Sequence, residues 1–283
     1  MTNITQSTTN IVTKSVQLNA QNPANLAKYY ETAIGLTRLG NSTGSYSLGT
    51  PDGKVLIELH ETTLPANDNT TGLYHLALLL PTYEDLGTVL RHLIVNQIPM
   101  IGASNHGYSN ALYLNDPEGN GIEIYWDKPE DQWDIHEDGS IAGVTEPMDA
   151  EAALEASRPT FEGIPNGTTM GHVHLHVDDV EKAADFYRNV MGLGLKYKFG
   201  PQAYFFATGN YHHHLGANIW KRGNLDKPKR LTPGLRTVEW VGTASDIETI
   251  TNNLTEANVE FTNKDNTLTF KDPAGIEHSI TLN

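Results

Sequence analysis

The 283-residue sequence contains no cysteine. This absence excludes disulfide scaffolds, thiolate zinc sites, cysteine nucleophiles and iron–sulfur clusters held by cysteine. A first-row metal ion would therefore depend on imidazole nitrogens and carboxylate oxygens as its ligands. The sequence has twelve histidines, and their distribution is the feature to explain.

Long apolar runs and an excess of basic residues are also absent. No stretch approaches the ~18 consecutive apolar residues of a membrane-spanning helix, and the first residues lack the cationic and apolar regions of a signal peptide. The 34 acidic residues outnumber the 19 basic ones, and the formal charge of -15 repels phosphate groups. We therefore expect a soluble, cytoplasmic protein with neither a nucleic acid nor a membrane as partner, and homo-oligomerisation stays open.

An internal repeat organises the chain. The segment AKYYETAIGL at residues 27–36 is matched by ADFYRNVMGL at residues 184–193, and DPEG at 116–119 is matched by DPAG at 272–275. Two independent matches with nearly the same offset indicate a tandem duplication.

Each half divides again into two similar units. Apolar residues with helical spacing occur at 84–97 and 180–191, and short alternating strands surround them. Four strand–helix–strand–strand–strand units are predicted, near residues 10–62, 72–128, 169–222 and 233–283. The predicted fold is α+β, with an N-terminal domain at 1–130, a connector at 131–168 that holds a short helix from Asp149 to Ala156, and a C-terminal domain at 169–283.

The third unit opens with alternating histidines. His172, His174 and His176 would lie on one face of a strand, and Val173 and Leu175 on the other. Such a face is either a wet surface or a place where at least one imidazole binds a metal ion.

The second unit carries one histidine and one carboxylate within apolar strands. His75 is most simply a core histidine, and Glu123, between Ile122 and Ile124, is most simply a solvent-facing residue. An ionised glutamate in an apolar strand is nevertheless costly without a partner, and a metal cation would be an adequate one.

These motifs carry a family resemblance. The strand that ends in Asp178 and Asp179, the following ADFYRNVMGL segment and the DPEGNGIE segment at 116–123 resemble the vicinal oxygen chelate superfamily. This superfamily includes glyoxalases, bleomycin- and fosfomycin-resistance proteins and extradiol ring-cleaving dioxygenases, and the sequence is most similar to the two-domain catechol 2,3-dioxygenases. The resemblance implies four βαβββ modules in two tandem domains. It also implies metal ligands on the first strand of a module and at the glutamate after the Asp-Pro-x-Gly turn, which selects His75, Glu123 and His172.

The other modules depart from this ligand pattern. The equivalent positions fall near Ser15 in the first module and near Thr237 and Ser279 in the fourth, and the first module offers only Glu58. A complete site therefore requires modules two and three to face each other across the two halves. We predict this permuted pairing.

The resemblance also implies an activity. Two histidines and one carboxylate leave three positions of an octahedral ion open, which favours Fe(II), with Mn(II) or another divalent metal as an alternative. A small aromatic diol and O2 would occupy the open positions in an extradiol ring-cleaving dioxygenase. His213, within the histidine run 212–214, matches the acid–base histidine of these enzymes, and Tyr113 matches their active-site tyrosine. His106, two residues after the aligned Ser104, is a weaker catalytic candidate.

Two other functions stay open. A glyoxalase-type isomerase or thiol transferase would need a fourth ligand, for which Glu58 and the run 212–214 are the sources. A non-catalytic drug-binding protein of the same superfamily would use the cavity without a metal. The run 212–214 could also be an exposed loop with adventitious metal affinity. The tyrosines expected near the site, which suit a planar ring but do not specify it, are Tyr74, Tyr108, Tyr125 and Tyr204.

Overall fold

Four βαβββ modules follow one another along the chain, as the sequence predicts. The computed structural model describes residues 6–221 and 224–283. Module one consists of β1 (Val12–Ala20), α1 (Pro23–Tyr29) with a π-helical turn (Tyr30–Ile34), β2 (Thr37–Ser42), β3 (Ser45–Gly49) and β4 (Val55–Glu61). Module two consists of β5 (Gly72–Leu79), α2 (Tyr83–Val95), β6 (Gly102–Asn105), β7 (Ser109–Asn115) and β8 (Gly121–Asp127). The connector holds a 3-10 turn (Glu130–Gln132), β9 (Glu146–Pro147) and α3 (Ala150–Ala156).

The second half repeats this order. Module three consists of β10 (Thr169–His176), α4 (Val180–Asn189), β11 (Gly194–Phe199), β12 (Ala203–Ala207) and β13 (Leu215–Asn218). Module four consists of β14 (Gly234–Gly242), α5 (Ala244–Glu256), β15 (Phe261–Lys264), β16 (Thr267–Lys271) and β17 (Glu277–Leu282). The predicted α+β fold is confirmed. The predicted end of module three at residue 222 lies outside the described residues, as do the first five of the opening residues on which the expectation of no signal peptide was based.

The modules pair across the two halves of the chain. One sheet has the order β15-β16-β17-β14-β1-β4-β3-β2 and combines modules four and one, whereas the other has the order β11-β12-β13-β10-β5-β8-β7-β6-β9 and combines modules three and two. The antiparallel pairs β1–β14 and β5–β10 join the modules. The permuted pairing is thereby confirmed, and whether residues 1–130 and 169–283 fold as separate domains stays a prediction.

The helices begin at side-chain caps and bury their apolar faces. Thr82 caps α2 and Asp179 caps α4 by accepting hydrogen bonds from backbone N–H groups of the first turn. Within the helically spaced apolar residues at 84–97, Ile94 is about half exposed and lies near the end of the helix. The short connector helix α3 packs directly on α2 at Gly87, where a Cβ atom would collide with the carbonyl oxygen of Ala153. Among the described residues, no helix is long and apolar enough to cross a membrane.

The two repeated sequence motifs contact each other. The Tyr30 hydroxyl donates to Asp116 Oδ2 at 2.9 Å, and the equivalent Tyr187 hydroxyl donates to Asp272 Oδ2 at 2.5 Å. Asp116 Oδ1 also accepts from the backbone nitrogens of Glu118 and Asn120, at 2.9 Å each. The aspartate therefore fixes the turn that leads into β8 and ties it to the helix of the preceding module. This accounts for the duplication of both motifs together.

Candidate metal centre and its cavity

Three adjacent strands bring the predicted ligands together. The strands β10, β5 and β8 lie side by side, and Ala77 of β5 is opposite His172 on one side and Glu123 on the other. His75 lies two residues before Ala77 and therefore on the same face of the sheet. The small alanine side chain leaves space at the centre of the group. The three predicted ligands come from both halves of the chain.

The distances within this group fit a metal ion. His75 Nε2 and His172 Nε2 lie 3.0 and 3.2 Å from Glu123 Oε2, and the two nitrogens are 3.3 Å apart. Ligand atoms ~2.1 Å from a cation and at right angles to one another are separated by about 3 Å. The three atoms thus have the spacing of one face of a coordination octahedron. His172 Nδ1 is buried without a hydrogen-bond partner among the described residues, so Nε2 is the ring atom that the site engages.

The charge states also fit. Burial alone would raise the pKa of Glu123, but the charge and hydrogen bonds of His172 and His75 hold this pKa well below its usual value. Burial lowers the pKa of His172 to about 4, although the neighbouring carboxylate opposes the shift. An ionised carboxylate and a neutral imidazole at neutral pH are the forms that bind a metal ion.

His213 adjoins the ligands and is oriented by a buried chain of hydrogen bonds. Its ring centre lies 4.1 Å from that of His172, its Nδ1 lies 2.7 Å from His212 Nδ1, and His212 Nε2 lies 2.8 Å from Asp127 Oδ1. The carboxylate can only accept, so His212 donates from Nε2 and, when neutral, accepts at Nδ1 from His213. This arrangement leaves the lone pair of His213 on Nε2. Burial lowers the pKa of His213 well below its usual value, so the ring is neutral at neutral pH.

The run 212–214 is not the exposed loop considered above. All three histidines are buried. Thr208 donates its backbone N–H to His214 Nδ1 at 3.3 Å, and His212 stacks on Tyr108 with ring centres 4.2 Å apart.

Tyr113 and His106 form a second polar pair in the same cavity. His106 Nδ1 lies 2.8 Å from the carbonyl oxygen of Val144, which can only accept, so Nδ1 carries the proton. His106 Nε2, 2.6 Å from the Tyr113 hydroxyl, then accepts from it. Burial and the charge of Glu123 raise the pKa of Tyr113 well above its usual value, so the hydroxyl stays protonated. The hydrogen bond from Tyr113 therefore connects His106 to the site.

The remaining histidines of β10 also face the cavity side. His174 is buried with no hydrogen-bond partner for Nε2 among the described residues, and it fills the space left by Gly216, where a Cβ atom would lie 2.8 Å from the ring. His176 Nδ1 contacts Asn218 Oδ1 at 2.8 Å. The alternation of β10 therefore places His172 and His174 in a buried environment, and only His176, at the end of the strand, is partly exposed.

A cavity of about 420 Å³ opens beside the ligands and is mainly aromatic and aliphatic. Tyr74 and Tyr108 line it, as predicted, whereas the Tyr125 hydroxyl lies behind it, 2.7 Å from that of Tyr211. The expectation for Tyr204 is wrong. Its hydroxyl donates to Glu181 of α4, because Tyr204 and Phe206 occupy the helix-facing side of β12 while Phe205 faces the cavity.

Asp127 is a residue of the site that sequence reasoning missed. It lies four residues after Glu123 on β8, so strand alternation places Glu123, Tyr125 and Asp127 on one face. Asp127 Oδ2 accepts from Tyr211 at 2.8 Å, in addition to the contact of Oδ1 with His212. The period-two pattern could have identified it.

The equivalent positions of the other sheet contain no such group. Ser15 donates to Glu239, Thr237 donates to Glu277 at 3.0 Å, and Glu58 lies 3.7 Å from His60. Across residues 6–221 and 224–283, the only cluster of three or more metal-ligating side chains is His75, Glu123 and His172. Glu58 is therefore in the wrong sheet to serve as a fourth ligand.

Comparison with known proteins identifies the family. The family model of the Glyoxalase/Bleomycin resistance protein/Dioxygenase superfamily matches residues 13–124 and 169–279. The chain belongs to this superfamily, as the resemblance predicts.

Individual relatives agree with this assignment. The chain is 37% identical over 254 residues to the catechol-2,3-dioxygenase of Bacillus subtilis, which covers 87% of this chain and 88% of the relative. A solved structure of another Bacillus subtilis protein matches with a TM-score of 0.62 at 15% identity, covering 98% of this chain and 86% of that one. Glyoxalase I from Zea mays matches with a TM-score of 0.57 at 15% identity, covering 95% and 92% of the two chains. The solved structures share the fold, and the relative at 37% identity supports the predicted enzyme class, a ring-cleavage dioxygenase.

Proposed function

We propose that this protein is an Fe(II)-dependent extradiol dioxygenase that opens the ring of catechol or a related dihydroxylated aromatic compound. The observation that carries the proposal is the face of two histidines and one glutamate beside a cavity that also holds His213 and Tyr113. Two histidines and a carboxylate with open positions are typical of non-haem Fe(II) oxygenases. The relative named catechol-2,3-dioxygenase supports the same substrate class and O2 as the second substrate.

The proposed ligands have distinct roles. His75, His172 and Glu123 would hold the ion. When bound, Fe(II) would supply a place where the diol and O2 meet and a path for electrons from the ring to O2. Both oxygen atoms enter the product as the ring bond beside the diol breaks, which gives a ring-opened semialdehyde. Mn(II) has the same open octahedral positions and is the second metal candidate.

The side chains of the cavity would handle protons and position the ring. His213 Nε2 would accept a proton from one substrate hydroxyl and return it during ring opening, as suits a neutral imidazole within a buried site. Tyr113 donates its own proton to His106 and therefore presents oxygen lone pairs to a substrate hydroxyl. The aromatic walls would orient the planar ring and exclude water.

Oxygen uptake tests the proposal. Protein reconstituted anaerobically with Fe(II) should consume one O2 per catechol and form a yellow ring-cleavage product. The Glu123→Ala variant treated in the same way provides the control. If iron-loaded protein consumes no O2 with catechol or substituted catechols, the proposed function is wrong.

Asp127 should act as a positioning residue for His213. Replacing Asp127 with Asn removes the fixed acceptor, so His212 and then His213 lose their single hydrogen-bond arrangement. We expect kcat to fall about 10- to 100-fold, the range found when residues that orient active-site groups are replaced, with KM for catechol little changed. Tyr211→Phe, which removes the other hydrogen bond to Asp127, is the matched control and should have a smaller effect on kcat. A rise in KM with unchanged kcat would instead mean that Asp127 only shapes the cavity.

A further inference from the structure

The mouth of the cavity is formed by exposed apolar side chains. Ile101 before β6 is 68% exposed and Phe199 at the end of β11 is 51% exposed, and both line the cavity. Val144 of the connector and Trp220 after β13 are also exposed and line it. Large apolar residues that are exposed together around one opening typically mark a surface that a ligand covers.

The cavity is larger than an unsubstituted ring requires. Its volume of about 420 Å³ lies within the range of cavities that hold drug-sized ligands, about 300–1,000 Å³. The ligand group His75, Glu123 and His172 would fix the diol at the inner end. Space therefore remains between the ring and the mouth, along Phe199 and Ile101.

No lysine or arginine is among the described residues that line this cavity. Nearby lysines are directed elsewhere: Lys221 Nζ donates to the carbonyl oxygen of Thr70 at 3.2 Å, and Lys128 Nζ donates to Asn105 at 2.7 Å. A carboxylate on the substrate ring would lie among apolar side chains without a cation, which costs free energy. The chain's charge of -15 also disfavours the approach of an anion.

We infer that the preferred substrates are neutral catechols with an apolar alkyl or aryl substituent, which lies against Ile101, Val144 and Phe199. Carboxylated catechols are disfavoured. This inference rests on the proposed function and names the substrate class of the same site. Phe199 is its principal specificity-determining residue, because it is the more exposed of the two exposed aromatic side chains, Phe199 and Trp220, that residues 169–221 contribute at the opening.

Three catechols test the inference on the iron-loaded protein. The kcat/KM for 4-ethylcatechol should exceed that for catechol by about tenfold, the lower end of what added apolar carbons contribute in an apolar site. The kcat/KM for 3,4-dihydroxybenzoate should be more than about 100-fold below that for 4-ethylcatechol, since its charge is left unpaired. Anaerobic equilibrium binding of the two substituted catechols should show the same order without turnover.

Variants of Phe199 test whether the substrate preference depends on the mouth of the cavity. Phe199→Ala should reduce the ratio of kcat/KM for 4-ethylcatechol to that for catechol at least about threefold, and Phe199→Lys should raise the relative value for the carboxylate. Val95→Ala, which removes an exposed apolar residue at the end of α2 that does not line the cavity, is the control and should leave both ratios unchanged. The inference is wrong, and the proposed function stands, if catechol is cleaved but kcat/KM for 3,4-dihydroxybenzoate equals that for 4-ethylcatechol. The same holds if the Phe199 variants keep the wild-type ratios. If no catechol is cleaved, the proposed function itself fails.

Discussion

Replacing His213 with Ala should lower kcat for catechol cleavage about 10²- to 10⁴-fold, the usual contribution of a positioned acid–base group. The physical reason is the fixed arrangement of its ring, in which Nδ1 donates to His212 Nδ1, the lone pair is left on Nε2 and the residue lines the cavity. Burial lowers the pKa of His213 well below its usual value, so the wild-type ring is neutral at neutral pH. Turnover of iron-loaded protein under saturating catechol and O2 measures the effect.

The His213 experiment separates catalysis from metal binding. His213 is not one of the three residues whose ligand atoms converge, so His213→Ala should still bind one Fe(II) per chain. His136→Ala, which removes an imidazole that is about half exposed and does not line the cavity, should keep the wild-type rate. A folded, iron-loaded His213→Ala protein with the wild-type rate would contradict the acid–base role.

Replacing Glu123 with Ala should remove both the metal and the activity. Residues that only orient a metal ligand already contribute 10- to 100-fold to metal affinity, so the loss of a ligand should weaken Fe(II) binding by more than about 100-fold. Glu123 is also the only carboxylate among the three ligands, and its charge compensates that of the cation. Metal content after dialysis and O2 uptake with catechol measure the two effects.

Glu58→Ala is the matched control for this variant. Glu58 occupies the place of Glu123 in the other sheet, beside Gln17 of β1 as Glu123 is beside Ala77 of β5. Its neighbour is His60 and not a pair of converging imidazoles. Glu58→Ala should therefore retain iron and activity, and equal iron loss in both variants would mean that the carboxylate of β8 has no special role.

Much of the fold could be predicted because its two strongest sequence signals are also structural contacts. The tyrosine of each repeated helix segment bonds the aspartate of each repeated turn, so both had to be duplicated together. The pairing of modules two and three followed from the ligand positions, since Ser15 and Thr237 offered no alternative. The candidate ligands themselves came from the family resemblance and not from periodicity.

The rest depended on contacts between distant segments. The link from Asp127 to His212 spans 85 residues and joins the end of β8 to the segment before β13. Strand alternation can place Asp127 on the correct face, but it cannot specify which side chain it meets. Tyr204 was expected near the site because aromatic rings suit the substrate. Only the structure shows which residues of β12 point to which side of the sheet, and it places Tyr204 on the side of α4. The tautomer of His106 likewise depends on Val144, a connector residue without regular secondary structure.

A metal centre shared by modules two and three can be tested by an anaerobic Fe(II) titration of the wild type, His75→Ala and His172→Ala, with one variant from each half of the chain. We expect one tightly bound iron per chain in the wild type and loss of tight binding in each variant separately, because the two nitrogens lie 3.0 and 3.2 Å from Glu123 Oε2. Tight, stoichiometric iron binding that survives in either folded variant would contradict a metal centre shared by modules two and three.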